Sequence, residues 1–201
     1  MAASLTSTDL TLDNTSGASI PGTPSAGQTV LYPKDDKLLY YKNDAGQELP
    51  PGKVVQVVNF QTGAVATGTT AMPADNTIPQ ITEGFEVMTL AITPTNASNI
   101  LMVDVATFIG TTTDNAWLIT ALFVGTTADA LATMPQYAET VNPIASVFFR
   151  HRMVAGATTE LTFRVRCGHN AAGTLSFNGH GGSGYFGGTS ASSITITEYT
   201  P

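Results

Sequence analysis

The stretch AWLITALFV, residues 116–124, decides how the chain is read. On an extended strand, Trp117, Ile119, Ala121 and Phe123 fall on one side, and Leu118, Leu122 and Val124 make most of the other. Antiparallel sheets usually leave one face wet. A strand that is apolar on both faces needs two covers. The interior of a sandwich supplies one. In a single domain with few helices, the second is expected from another subunit. Trp117, Leu118 and Leu122 are therefore expected at a subunit interface.

The surrounding chain reads the same way. Residues 160–167 alternate, with Leu161, Phe163, Val165 and Cys167 on one face and Thr162, Arg164 and Arg166 on the other. Further strand-like runs are expected near 53–60, 64–71, 86–93, 100–109, 144–153, 174–178 and 193–199. Clusters such as Met72-Pro73-Ala74-Asp75-Asn76 and Thr93-Pro94-Thr95-Asn96 break them. The one helical candidate is Ala128–Met134, and it is short. About nine short strands at this spacing predict an all-β fold, a jelly-roll-like β-sandwich.

Residues 1–28 are rich in Ser, Thr, Gly, Ala and Pro and cannot bury enough apolar surface to fold alone. Two readings stand: a disordered tail, or an arm that orders against another chain. Residues 29–43 carry two short β-prone runs around Pro33-Lys34-Asp35-Asp36, which is turn chemistry. Leu31, Tyr32, Leu38 and Tyr40 give this hairpin more apolar surface than an isolated hairpin hides, so it is expected to dock. Leu49-Pro50-Pro51-Gly52 then stops any strand. The division predicted is an extended N-terminal anchoring arm over 1–52 and a β-sandwich domain over 53–201.

Only 11% of the 201 residues are charged, and the net charge is −7. An acidic chain lacks the basic field that phosphate binding needs, so nucleic acid is not expected as a partner. No apolar run reaches membrane-spanning length, and no membrane insertion is expected. The start, MAASLTSTDLTLDNT, has neither a basic nor an apolar leader region, which predicts synthesis in a cytosol. A single cysteine, Cys167, rules out an internal disulfide.

The runs VVQVVNFQTGAVATGTTAMPADNTIPQITEG (54–84) and EVMTLAITPTNASNILMVDV (86–105) resemble the C-terminal domain of many phage tail-fibre and virion-associated proteins. LTFRVRCGHNAAGTLSFNG (161–179), FGG (186–188) and ITITEY (194–199) continue the resemblance. LYPKDDKLLYYKNDAGQE (31–48) resembles a short segment that often precedes such domains. Family members look like trimeric jelly-roll knobs. The resemblance implies a non-enzymatic virion structural protein, a homotrimer made in the bacterial host cytoplasm, serving as a tail-fibre or receptor-binding appendage. Its partners would be other capsid or tail proteins and a host surface glycan. Family members usually carry a long shaft before the knob. With only residues 1–52 ahead of the domain, the alternative is a capsid cement or decoration protein, or a short head fibre.

Catalytic and metal chemistry are weakly supported. Cys167, His169 and His180 are three soft ligands where a zinc site needs about four at tight spacing, so no metal or cofactor is expected. His151, between Arg150 and Arg152, reads as a core or interface histidine. Ser183 lies in Gly181-Gly182-Ser183-Gly184-Tyr185, where Tyr185 breaks the G-x-S-x-G elbow. Glu83 and Glu86 would point to opposite faces of a strand, which argues against a glycan-active enzyme. The Gly179–Gly188 loop is either a flexible connection or an exposed surface where His180, Tyr185 and Phe186 contact a sugar or a protein. Arg150, Arg152, Arg164 and Arg166 are half of the eight basic residues. If their two strands pair as a hairpin, all four share one face and need carboxylates such as Glu83, Glu86, Asp104 or Glu160, or those of another subunit.

Overall fold

The computed structural model describes residues 22–33, 39–46, 48–49, 54–139 and 142–201. The chain divides into two compact units, Met1–Lys53 and Val54–Pro201. In the first, β1 (Thr29–Pro33), β2 (Leu39–Asn43) and β3 (Glu48–Leu49) form a small antiparallel sheet in that order. Leu31 lies opposite Tyr41 and Tyr32 opposite Tyr40. The Tyr32 and Tyr40 ring centroids are 6.3 Å apart; Tyr32 is buried and Leu31 exposed. Leu38 lies outside the described residues.

The second unit is a jelly roll. Eight principal strands are β4 (Val54–Thr62), β6 (Phe85–Ile92), β7 (Ile100–Thr111), β8 (Ala116–Val124), β9 (Ala132–Ala138), β10 (Ile144–Val154), β11 (Leu161–His169) and β15 (Ser192–Tyr199). One sheet runs β4-β15-β7-β10, and the other runs β6-β11-β8-β9. Counted along the chain, the orders are first-eighth-third-sixth and second-seventh-fourth-fifth, the double Greek key of that fold. The short strands β5 (Ala66–Gly68) and β12 (Leu175–Phe177) extend the first sheet, with β12 on β7 beyond the end of β15. A further hairpin joins β13 (Gly179–His180) to β14 (Ser183–Gly184). Its central residues Gly181 and Gly182 both have positive φ, which a type I′ turn requires.

Alternation builds the core. Leu101, Val103, Val105 and Ile109 of β7, Val147 and Phe149 of β10, and Ile194 and Ile196 of β15 face inward. Met88 of β6, Phe163, Val165 and Cys167 of β11, and Leu118 and Leu122 of β8 meet them. At mid-core, the hydroxyls of Thr107 and Thr120 bond each other across the sheets at 2.8 Å.

Residues 128–134 are not a helix. Ala132–Ala138 forms β9, the edge strand beside β8, with Trp117 opposite Tyr137 and Ile119 opposite Pro135. The open edge of β8 demands a partner, and this overrides local helix propensity. Pro135, which has no N–H to donate, is tolerated in an edge strand.

The second apolar face of β8 is covered by its own chain. Met72 packs on Ile119, Ala121 and Phe123, with Ile81 and Ala130 beside it. The covering segment, residues 71–84, is tied down throughout. The Met72 amide donates to the His169 carbonyl at 3.1 Å, and the Ile81 amide to that of Ala128 at 2.8 Å. Arg166 donates to the carbonyls of Glu83 and Gly84, both at 2.8 Å. A Cβ on Gly168 would stand 2.7 Å from Met72 Cβ, so the close approach of segment and strand needs glycine there.

One carboxylate is buried at the opposite sheet. Glu198 of β15 accepts from the Thr95 amide and hydroxyl (2.8 and 2.9 Å), from Asn99 Nδ2 (2.6 Å) and from Gln56 Nε2 (2.5 Å). Burial alone would raise its pKa. The hydrogen bonds from Asn99, Gln56 and Thr95 outweigh this and hold it below its ordinary 4.5. Glu198 thus joins β4, the β6–β7 connection and β15 in one network.

Two outcomes are expected. Met72→Ala opens a cavity under the cover and lowers unfolding free energy by about 2–5 kcal/mol in denaturant titration. Glu198→Gln leaves a buried donor unpaired and costs roughly 1–3 kcal/mol at neutral pH. Because the folded pKa is depressed, the native chain binds fewer protons than the unfolded one. The stabilisation is present above the ordinary value and is lost as pH falls through the folded pKa. Melting curves of Glu198→Gln should therefore converge with wild type below that range; a gap of constant size would contradict the assignment.

Candidate functional site

Two exposed surfaces stand out, one on the outer face of each sheet. On the β4-β15-β7-β10 sheet, the register stacks side chains into rows. Val54, Tyr199, Ile100 and Val154 form one row, and Val57, Thr197, Met102 and Arg152 the next. Asn59, Thr195, Asp104 and Arg150 follow, then Gln61, Ser193, Ala106 and Phe148. Phe148 is 62% exposed, Val57 56% and Val154 51%. No described residue of the second unit covers them.

The Gly179–Gly188 loop adds to the Phe148 end of this face. Tyr185 lies edge-on to Phe108 of β7, with ring centroids 6.1 Å apart. Phe186 is 79% exposed and holds a left-handed backbone at φ +52°. A large apolar side chain in that conformation carries strain that glycine would not. His180 turns inward instead, its Nε2 3.1 Å from the Thr111 carbonyl oxygen.

The four arginines do not share a face. β10 and β11 lie in different sheets, so the condition for a shared face, their pairing as a hairpin, is not met. Arg150 makes a two-point pair with Asp104, Nε–Oδ1 at 2.5 Å and Nη2–Oδ2 at 3.0 Å. Arg152 makes no ion pair among the described residues. On the other sheet, Arg164 reaches both oxygens of Glu86 at 3.1 Å and the Gly125 carbonyl at 3.0 Å. Arg166 lies 3.8 Å from Glu86 and holds the covering segment. Arg164 and Arg166 are thus satisfied within the chain and do not call for a second subunit.

Leu118 and Leu122 are also corrected. Both are fully buried in the sandwich interior and reach no outer surface. The inference of a second subunit over β8 fails because residues 71–84 cover it. Trp117 alone of the three is exposed, at 37%. Its ring packs against Tyr137 with centroids 4.9 Å apart. It borders a cleft of about 400 Å³ together with Pro73, Asp75, Thr77, Thr133 and Pro135.

Cys167 faces the core, and burial pushes its thiol up to about 12, against a weaker opposing contact from Thr120. Burial therefore favours the neutral thiol at physiological pH. His169 lies buried on the same inner face, with neither ring nitrogen bonded among the described residues. His151 is half-buried, and burial lowers its pKa. Among the described residues, no three His, Cys, Asp or Glu side chains converge to hold a metal ion.

The exposed apolar residues Val54, Val57, Phe148 and Val154 of β4 and β10 were missed in the sequence, although VVQVVNF carries valines on both faces. No family model and no curated protein matches the chain. Among solved structures, it is similar to Eiger TNF from S. frugiperda, at 11% identity and TM-score 0.40 over 71% of this chain and 92% of that one. It is similar to the infectious bursal disease virus VP2 subviral particle at 10% identity and TM-score 0.36, over 77% of this chain and 41% of that one. For dimeric latent PorU from Porphyromonas gingivalis the values are 6% and 0.37, over 86% and 18%.

Proposed function

We propose that this chain is a non-enzymatic structural protein of a bacteriophage particle. In this reading the jelly roll is a trimeric knob, residues 1–52 anchor it to other virion proteins, and it serves as a tail-fibre or receptor-binding appendage. The observation that carries it is the uncovered outer face of the β4-β15-β7-β10 sheet. Exposed apolar side chains at both ends of this face, Phe148 at one and Val57 and Val154 at the other, favour protein–protein contact. The sequence resemblance over 54–105 and 161–199 supplies the class of particle. The low charge of the chain suits a surface that packs against copies of itself, since interface cores are depleted in charged residues.

Light scattering of the purified chain at micromolar concentration tests the assembly. The expected mass is three times the 20.9 kDa of one chain. A single-chain mass overturns the reading. Phe148→Glu should reduce the mass to that of one chain while the domain keeps a cooperative melt, because its side chain is outside the core. Deleting residues 1–52 should leave the trimer and abolish incorporation into particles; full incorporation without them would place the anchor in the knob. Copies per particle then separate tail from shell. Few copies mean an appendage, and a number in proportion to the capsid subunits means a cement or decoration protein.

A further inference from the structure

We propose that the cleft beside Trp117 is a binding site for a neutral saccharide, one or two pyranose rings in size. It lies on the sheet opposite the apolar face discussed above, so it stands whether or not the chain is a trimer.

The cleft is a by-product of the cover over β8. Residues 71–84 shield Ile119, Ala121 and Phe123, and Pro73, Asp75 and Thr77 of the same segment line a cleft with Trp117, which stays 37% exposed. The indole is thus left part-exposed, on a strand otherwise almost wholly buried. The Trp117 backbone is fixed. Its amide donates to Asn170 Oδ1 at 2.8 Å, and its carbonyl accepts from the Asn170 amide at 3.3 Å. Tyr137 props the ring from the neighbouring strand. A preorganised aromatic plate loses little entropy when a ligand stacks on it.

The rim is polar in one way only. Asp75 Oδ1 accepts from both the Thr77 hydroxyl (2.6 Å) and the Thr77 amide (2.8 Å). These bonds hold its pKa below the ordinary carboxylate value, so it is ionised at neutral pH. They leave Oδ2 without a partner among the described residues. Thr133 is a further hydroxyl-bearing residue of the lining. Around them, Pro73, Pro135 and Ile119 supply apolar wall and no side-chain donor.

This combination selects among ligand classes. A pyranose has an apolar C–H face that suits an indole and equatorial hydroxyls that donate to a carboxylate. No basic side chain lines the cleft, and Asp75 repels anions, so acidic sugars and phosphates are disfavoured. A proline-rich peptide would cover the indole, but its prolines bring no N–H to the free Asp75 oxygen, which would be desolvated unpaired. About 400 Å³ falls in the range of small-ligand clefts.

The chain has one tryptophan, so its intrinsic emission reports this site alone. The full-length protein is titrated with glucose, galactose, N-acetylglucosamine and their short oligomers, followed by Trp emission and by saturation-transfer NMR on the sugar ring protons. The result expected is a saturable response to at least one neutral sugar, with transfer to ring protons. Trp117→Ala should abolish the NMR transfer. Trp117→Phe should retain binding, and Asp75→Asn should weaken it about tenfold. Circular dichroism spectra of all three should show the wild-type fold, with Trp117→Ala melting somewhat lower for loss of the Tyr137 contact. The proposal is overturned by the absence of a saturable response across the neutral panel. It is equally overturned by preference for sialic acid, heparin or a proline-rich peptide, or by binding that survives Trp117→Ala.

Discussion

Everything distinctive about this domain follows from β8 being apolar on both faces. Its inner side chains, Leu118 and Leu122, complete the sandwich interior with β7, β10 and β15. Its outer side chains, Ile119, Ala121 and Phe123, would then face water. At roughly 25 cal/mol per Å² of apolar surface, three exposed core-sized side chains are a liability comparable with the net stability of a domain. The chain resolves this by folding the β5–β6 connection back over its own sheet. Met72 is the key side chain, and Arg166 is the clasp.

That cover makes the two sheets unequal. On the β6-β11-β8-β9 sheet, the arginines of β11 spend their donors on Glu86 and on the backbone carbonyls of the covering segment and of Gly125. The cover leaves Trp117 part-exposed beside a cleft on this face. The β4-β15-β7-β10 sheet has no such connection, and its outer face keeps Val57, Phe148 and Val154 in solvent. One topology therefore yields a small, partly polar cleft on one side and a broad apolar face on the other. These suit different occupants: a compact polar ligand and a second protein surface.

The sheet architecture was legible because alternation survives in single strands. Leu161, Phe163, Val165 and Cys167 face the core, as their spacing implies, and the turn clusters mark most strand ends. Three features were not legible, each for a physical reason. β9 looked like a short helix because ADALATM has helix propensity, and its strand state is imposed by the open edge of β8. Whether β10 and β11 pair stayed open because consecutive strands in a jelly roll commonly cross to the other sheet, which no local signal reveals. The cover of β8 was sought in another chain because a connection rich in Pro, Asp and Asn does not read as a cover. Only Met72 and Ile81 in it are apolar anchors, and two residues are too few to make a pattern.

The apolar face also carries its own restraint. Arg150, Asp104 and Arg152 cross it between the Val54–Val154 end and the Phe148–Phe186 end. An edge strand that was apolar throughout would pair with any other exposed edge. A charged row in the middle prevents this, because a partner that buried Arg152 without a carboxylate would leave a desolvated charge, at a cost of several kcal/mol. Arg150 is already neutralised by Asp104, so it can be covered more cheaply. Any specific partner must therefore either leave Arg152 wet at the rim or bring an acid to it. The first option confines the tight contact to one apolar end. The Phe148–Phe186 end has the larger side chains, the fixed Tyr185–Phe108 contact and the strained backbone of Phe186, features of a contact centre that is set before its partner arrives.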